Sequence, residues 1–295
     1  MEKRKFKLVI AYDGTNYEGW QVQKTGTGVQ QIVERALAKL FPSGPRLHSS
    51  SRTDTGVHAL GMVAHFEVPC GGDAPVAASR PGDEASPPPA GFKMSTRKLA
   101  LALNAWLPED IRILSAARAP GNFHARFDAT GKQYRYFVWN HTAMNPLLRY
   151  TAWHVTRPLD LKAMRAAAPR FIGRHDFKSF AGTRGNKVGV QASACQATGG
   201  TLKRELQRTV RTLTRCDIKK SGRLLTFIIE GDGFLYKMCR GIVGTLVQIG
   251  LGKFPPGEAR RMLAKKDRRV AGMTAPAQGL VLWKVFYKQS VVRSQ

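Results

Sequence analysis

The sequence predicts an α+β protein built from two domains of ordinary size. A chain of 295 residues is long enough to bury about two hydrophobic cores. Segments with alternating apolar positions, the mark of half-buried strands, are interspersed with segments whose apolar residues recur at helical spacing. Both halves carry this mixture, and no motif repeats between them.

Taken in order, residues 7–12 alternate and read as a strand. Residues 29–41 read as a helix, with Val29, Ile32, Val33, Ala36, Leu37 and Leu40 on one stripe. A second strand follows at 62–68, where Met62, Ala64, Phe66 and Val68 alternate with Val63, His65 and Glu67. Residues 97–107 form a helical pattern that stops at Pro108, and 111–118 a third strand. Between the second strand and this helix, 70–91 is rich in Gly, Pro, Ala and Ser and nearly devoid of large apolar residues, which reads as an exposed insertion without chemistry of its own. The second half offers a strand at 133–139, a helix at 161–171, strands at 210–218 and 224–230, a helix at 234–249 and a final strand at 280–287. A polar, small-residue-rich interruption spans 182–207. The expected domains are therefore 1–118 and 119–290.

Charge narrows the class of partner. Forty-seven Lys and Arg against twenty Asp and Glu leave a net charge of +27, spread along the chain and far beyond what solubility requires. A folded basic surface for a polyanion is the expectation. The apolar run at 241–252 is well short of the roughly 20 residues of a spanning helix, so no membrane is expected as partner. Met1-Glu2-Lys3-Arg4-Lys5 leads straight into a strand pattern rather than into a secretory apolar core. Cys70, Cys195, Cys216 and Cys239 show neither Cys-x-x-Cys pairing nor His at zinc-finger spacing, so no disulfide framework or structural zinc is indicated and the expected compartment is the reducing cytoplasm.

The most concentrated chemistry lies at 49–59. Three serines, Arg52, Thr53, Asp54, Thr55 and Gly56 crowd into a segment with neither period, which makes it a loop. If the loop folds Arg52 onto Asp54, the cation keeps the carboxylate ionised, which favours a nucleophile over an acid. The competing reading is an Asx-turn near Gly56 with Arg52 as a solvated surface charge. On composition alone the two stand level.

Three further clusters carry similar pairs of readings. In Phe123-His124-Ala125-Arg126-Phe127-Asp128 and the following Lys132-Gln133-Tyr134-Arg135-Tyr136, aromatics and cations interleave as they do where bases stack and cations meet phosphates. A strand with a basic outer face, and with Tyr134 and Tyr136 on one core-facing side, explains them as well. The stretch 231–244 opens a helix after a strand and sets Lys237 and Arg240 three apart, hence on one face, either aimed at Asp54 or a phosphate or simply solvated. Leu280 and Leu282 open the last strand and suit plain core packing.

Together these stretches resemble the TruA-type tRNA pseudouridine synthases. Arg52-Thr53-Asp54-Thr55-Gly56-Val57-His58-Ala59 is similar to that family's active-site signature, and Tyr12-Asp13-Gly14-Thr15-Asn16-Tyr17-Glu18-Gly19-Trp20-Gln21 to its opening strand and turn. Asn104-Ala105-Trp106-Leu107-Pro108-Glu109-Asp110-Ile111, Phe123-His124-Ala125-Arg126 and Lys132-Gln133-Tyr134-Arg135-Tyr136 follow in the family's order. The match runs over 7–287 apart from the two insertions.

The resemblance implies two domains of RRM-like topology, with mainly antiparallel sheets joined around a central active-site cleft, and a homodimer across which a tRNA lies. It implies isomerisation of uridine to pseudouridine at positions 38, 39 and 40 of the anticodon stem-loop, with neither cofactor nor metal. Asp54 matches the catalytic aspartate, Arg240 its ion-pair partner, and Tyr134 the tyrosine that lies on the uracil and serves proton transfer from C5. Arg52 matches a position that manages the flipped-out nucleotide. Thr53 and His58 are expected at the substrate, and Leu280 or Leu282 at the apolar wall of the pocket. Attack at C1′, attack at C6 and elimination through a glycal all suit a carboxylate in this place. Thr55 stands where family members usually carry alanine, and Ser51 where many carry glycine.

Two other functions fit the residues less well. A catalytically silent RNA-binding protein needs the basic surface but not Asp54, Tyr134 and Arg240 together. A metal-dependent nuclease needs clustered carboxylates or histidines, and Asp54 has no second acid nearby in sequence.

Overall fold

The computed structural model describes residues 3–23, 25–42, 44–69, 95–182 and 209–288. The expected interruptions at 70–91 and 182–207 lie, but for Gly182, outside the described residues. The described chain forms a mixed α+β structure with largely antiparallel strand pairing, and divides into two compact units. Unit 1 holds the residues up to Arg135, Tyr150–Ala152 and those from Ala277 onward; unit 2 holds Tyr136–Arg149 and Trp153–Pro276.

Unit 1 is built on strand β1 (Lys3–Tyr12), whose alternation buries Phe6, Leu8, Ile10 and Tyr12 on one face. It pairs antiparallel with β3 (His58–Pro69) and β4 (Ile111–Ala119). The β1/β3 register sets Phe6 opposite Phe66, with ring centroids 5.4 Å apart. Over the buried face lies helix α1 (Val29–Leu40), which sinks Val29, Val33, Ala36, Leu37 and Leu40, the expected stripe except for Ile32. Helix α2 (Thr96–Trp106) starts under a cap from the Ser95 hydroxyl, which accepts from Lys98 N, and stops before Pro108. Its Asn104 side chain accepts from Ile113 N at 2.8 Å and donates to Ile113 O at 3.0 Å, so a helix residue completes the ladder of the edge strand β4. The two-residue β2 (His48–Ser49) pairs with β3, and β10 (Leu280–Tyr287) runs parallel to β3, with Val281 opposite His58 and Leu282 opposite Ala59. Strand β5 (Ala129–Asn140) is the next neighbour of β10 and passes from unit 1 to unit 2 at Arg135/Tyr136.

In unit 2, β6 (Trp153–Val155) runs parallel to the end of β5, and β7 (Gly173–Asp176), β8 (Val210–Ser221) and β9 (Leu224–Gly231) form an antiparallel set. The helical pattern expected at 161–171 is split: α3 (Leu161–Ala167) gives way to a 3-10 turn over Ala168–Phe171, because Pro169 lacks the N–H that an α-helix would use. Helix α4 (Met238–Gly250) is buried almost throughout and presses Gly244 on the Met273 carbonyl, closer than any side chain would permit. It begins four residues later than the pattern suggested. Lys237 sits before it with φ +58, so Lys237 and Arg240 do not form a helical i, i+3 pair, and the single basic face expected there is absent. A short helix α5 (Glu258–Lys265) completes the unit. Among the described residues no helix is long and apolar enough to cross a membrane.

Candidate active site

The Asp54 loop joins β2 to β3 and is held on three sides within unit 1. Tyr12, at the end of β1, is buried and hydrogen-bonds through its hydroxyl to Thr53 Oγ1 at 2.7 Å. That burial pushes the phenol's pKa well up, with the Thr53 contact opposing, so Tyr12 stays a neutral fixture. The turn after β1 grips the backbone: Trp20 N donates to Thr53 O at 3.2 Å and Gly56 N to Tyr17 O at 3.3 Å. Gly19, at φ +88, lets that turn pass so close that a Cβ would lie 2.5 Å from Thr53 O. From β5, the Lys132 ammonium donates to Ser50 O at 2.8 Å, and Ser49 Oγ donates to Ser51 O at 2.9 Å. Val57 N closes a turn on Asp54 O at 3.1 Å. Asp54 is left half-buried and Arg52 exposed.

His58 anchors the C-terminal side of the loop. The ring is 4% exposed, and both nitrogens meet protein atoms. Nε2 lies 3.0 Å from Gln278 O, and because a carbonyl only accepts, Nε2 carries the proton. In the neutral ring Nδ1 then accepts from Gly14 N at 3.0 Å. Asp13 Oδ1 stands 2.9 Å from the same Nδ1, so a protonated ring would donate to Asp13 instead. Burial opposes ionisation of Asp13, but the Thr15 hydroxyl and amide and the adjacent His58 ring outweigh it and hold the carboxyl below its usual range. One imidazole thus ties the turn after β1 and the segment before β10 to the start of β3.

The other site candidates of unit 1 lie on the strands beside this loop. Leu280 and Leu282 are buried in β10, Leu282 directly opposite Ala59. Tyr134 is buried in β5, the next strand. Arg52, Thr53, Asp54, His58, Tyr134, Leu280 and Leu282 therefore belong to one compact unit, although they span most of the sequence.

Arg240 belongs to unit 2, in the first turn of α4. Its Nε donates to Ala275 O at 2.7 Å while its own carbonyl accepts from Ala275 N at 3.0 Å. Tyr136 donates its hydroxyl to Pro276 O at 2.8 Å; burial raises its pKa well above the ordinary phenol value, with the Arg240 charge opposing. The guanidinium plane is thereby set by the backbone at 275.

The residues that sequence reasoning left without a role are the holders: Tyr12, Lys132 and Asp13. The first and third stood inside the quoted opening motif, but nothing local says that a tyrosine 41 residues upstream meets Thr53. A loop fastened by buried hydroxyl, ammonium and imidazole contacts, presenting a half-buried carboxylate beside an exposed arginine, suits nucleophilic attack on a ligand that brings its own negative charge.

A family model described as tRNA pseudouridine synthase matches residues 8–128 and 167–288 of the chain. The tRNA pseudouridine synthase A of Geotalea uraniireducens is 40% identical over 284 residues, covering 96% of this chain and all of that protein. Those of Acetivibrio thermocellus and Syntrophotalea carbinolica are 39% and 42% identical, over 96% and 95% of this chain and 100% and 95% of theirs. Matched along both units and nearly end to end, the chain belongs to the TruA-type tRNA pseudouridine synthase family of isomerases.

Proposed function

We propose that this protein isomerises uridine to pseudouridine at positions 38, 39 and 40 of the tRNA anticodon stem-loop, as a cytoplasmic homodimer with Asp54 as nucleophile. The modification of tRNA follows from the family; the stem-loop site and the residue roles are our reading. The observation that carries it is the fastening of the Asp54 loop by Tyr12, Lys132 and the turn at 14–20, which leaves Asp54 half-buried while its neighbour Thr53 is locked. A carboxylate fixed in advance loses little entropy when it meets the nucleoside.

In this reading the N1–C1′ bond breaks, the uracil turns, and C5 bonds to C1′ as C5 gives up its proton and N1 gains one, so that the product is an isomer of the substrate. Asp54 attacks the nucleoside, and Tyr134 lies on the uracil and serves the proton transfer from C5. Arg52, exposed and next in sequence but one, fills the place of the extruded base, whose unstacking costs a few kcal/mol. Leu280 and Leu282 supply the apolar wall, Thr53 and His58 order the substrate side of the loop, and Arg240 is the cation that keeps Asp54 ionised. Asp54→Asn removes the nucleophile with almost no change of shape. Pseudouridine formation on an unmodified tRNA transcript is expected to vanish while tRNA affinity stays within a few-fold of wild type. Normal turnover by that variant would remove Asp54 from the chemistry. Mapping pseudouridine in cellular tRNA with and without the gene tests the stem-loop assignment.

A further inference from the structure

A second cluster in unit 1 takes no part in the site just described. Strand β2 brings His48 opposite His65 in register on β3, with the rings stacked 5.1 Å apart. His124, from the segment between β4 and β5, lies 4.8 Å from His65 and 6.0 Å from His48. His124 meets His65 edge-on, Phe127 lies tilted over His124 at 4.2 Å, and the Arg126 guanidinium is 5.9 Å from the Phe127 ring. Phe127 is 63% exposed, and His48 and Arg126 are exposed beside it.

The cluster is built rigidly. His124 Nδ1 accepts from both Arg126 N and Phe127 N, and Asp128 Oδ2 accepts from His124 N, so the ring and the backbone that carries the cation and the phenyl are fixed. The Lys5 ammonium holds Phe123 O at 2.8 Å and pairs with Glu67 at 3.0 Å. Burial and the neighbouring cations and imidazoles depress the pKa of all three histidines, so at neutral pH they are uncharged stacking surfaces. An isolated exposed phenylalanine needs no explanation. One that ends a run of four rings in contact and lies within reach of a guanidinium is an arrangement on which unpaired bases stack while a cation meets their phosphates.

We propose that the Phe127 and His124 rings, with Arg126, form a stacking platform for an unpaired nucleobase of the anticodon loop. The proposal rests on the tRNA reading above. It commits to the loop because His48 precedes Asp54 by only six residues, and a chain of that length spans at most about 20 Å. A base stacked here therefore belongs to RNA close to the target nucleotide. Charge agrees: Arg46 and Arg126 flank the platform, while the carboxylates of Glu67 and Asp128 are engaged by Lys5 and the His124 amide.

The test compares binding of two RNAs by the full-length protein: a hairpin of the anticodon stem-loop sequence, and the same stem closed by a polyethylene-glycol linker that has no bases. Phe127→Ala is expected to raise Kd for the first roughly 5- to 150-fold, the loss of one stacked base, and to leave the second unchanged. Phe127→Trp restores the affinity. Arg126→Ala is expected to lower the slope of log K against log salt by about 0.7, the single-strand value for one phosphate contact, which Phe127→Ala does not. Wild-type affinity in Phe127→Ala, an equal loss on both RNAs, or an altered sedimentation coefficient in place of altered binding would each overturn the platform; the last would make the patch a contact between two copies. Urea midpoints of the variants exclude simple unfolding, and Phe127→Trp retains the ring if the alanine variant is unstable. Absence of pseudouridine formation by wild-type protein would defeat the tRNA reading itself, whereas an active wild type with an indifferent Phe127 defeats only the platform.

Discussion

Of the four hydroxyls at 49–51 and 53, each has an assigned partner except one. Thr53 Oγ1 meets Tyr12, Ser49 Oγ meets the Ser51 carbonyl, and Ser50 Oγ lies 3.6 Å from Met62 Sδ. Ser51 Oγ is buried without a hydrogen-bond partner, at the position where many relatives of this family are expected to carry glycine. A buried unsatisfied hydroxyl costs on the order of 1–3 kcal/mol, and removing it altogether removes that cost. Ser51→Ala is therefore expected to stabilise the protein by about 1 kcal/mol, read as a higher urea midpoint with an unchanged m-value. A clear drop in midpoint would mean that the hydroxyl is satisfied in solution. The loop itself was legible from composition, and Asp54 and Arg52 from their motif. The holders were not, because Tyr12, Lys132 and His58 act across tens of residues.

Elements with a strong local period appear where the sequence suggests, as at 29–41 and 280–287, because burial of one stripe or one face decides both pattern and structure. What escapes is set by single residues or by distant pairing. Pro169 cuts a helix, Lys237 delays another, and β2 and β7 are too short to show alternation. The parallel pairing of β10 with β3 joins residues more than 200 positions apart, which no local pattern carries. The contact of β2, β3 and the 120–128 segment through three imidazoles is of the same kind, and it has a pH signature. His65 is 3% exposed and accepts from Ala125 N at 3.1 Å through Nδ1. Burial first, then His124, His48 and Lys5, against the weaker pull of Glu67, press its pKa from 6.5 to about 4. Because the folded value lies below the unfolded one, the neutral ring favours folding. That stabilisation is complete above about pH 6.5 and is lost as the pH falls toward 4. The expected loss is about 2 kcal/mol, at 1.4 kcal/mol per unit with some discount for coupling among the rings. Urea titrations at pH 7.5 and 4.5 should show it, and His65→Gln should flatten the difference; an equally steep fall in that variant would place the effect elsewhere.

At the scale of the molecule, the +27 charge is the property that local structure does not use. Among the described residues, cations meet carboxylates in pairs such as Lys5–Glu67, Arg215 with Asp217 and Glu230, and Arg269–Asp267, but twenty acids cannot neutralise forty-seven cations. Such an excess repels itself in the folded state and attracts a phosphate backbone, so salt must act on folding and on binding with opposite signs. Raising monovalent salt from 50 to 200 mM is expected to increase the thermal midpoint of the free protein by screening the repulsion. Over the same range, tRNA affinity should fall by roughly 10³ to 10⁵, the cost of 6 to 10 phosphate contacts. The two measurements constrain each other. A midpoint that falls with salt would mean that attractive pairs outweigh the excess charge, and an affinity that barely changes would mean that the tRNA is held by base and shape contacts rather than by this basic surface. The combination of rising stability and collapsing affinity is specific to a fold whose surplus charge is kept for its substrate.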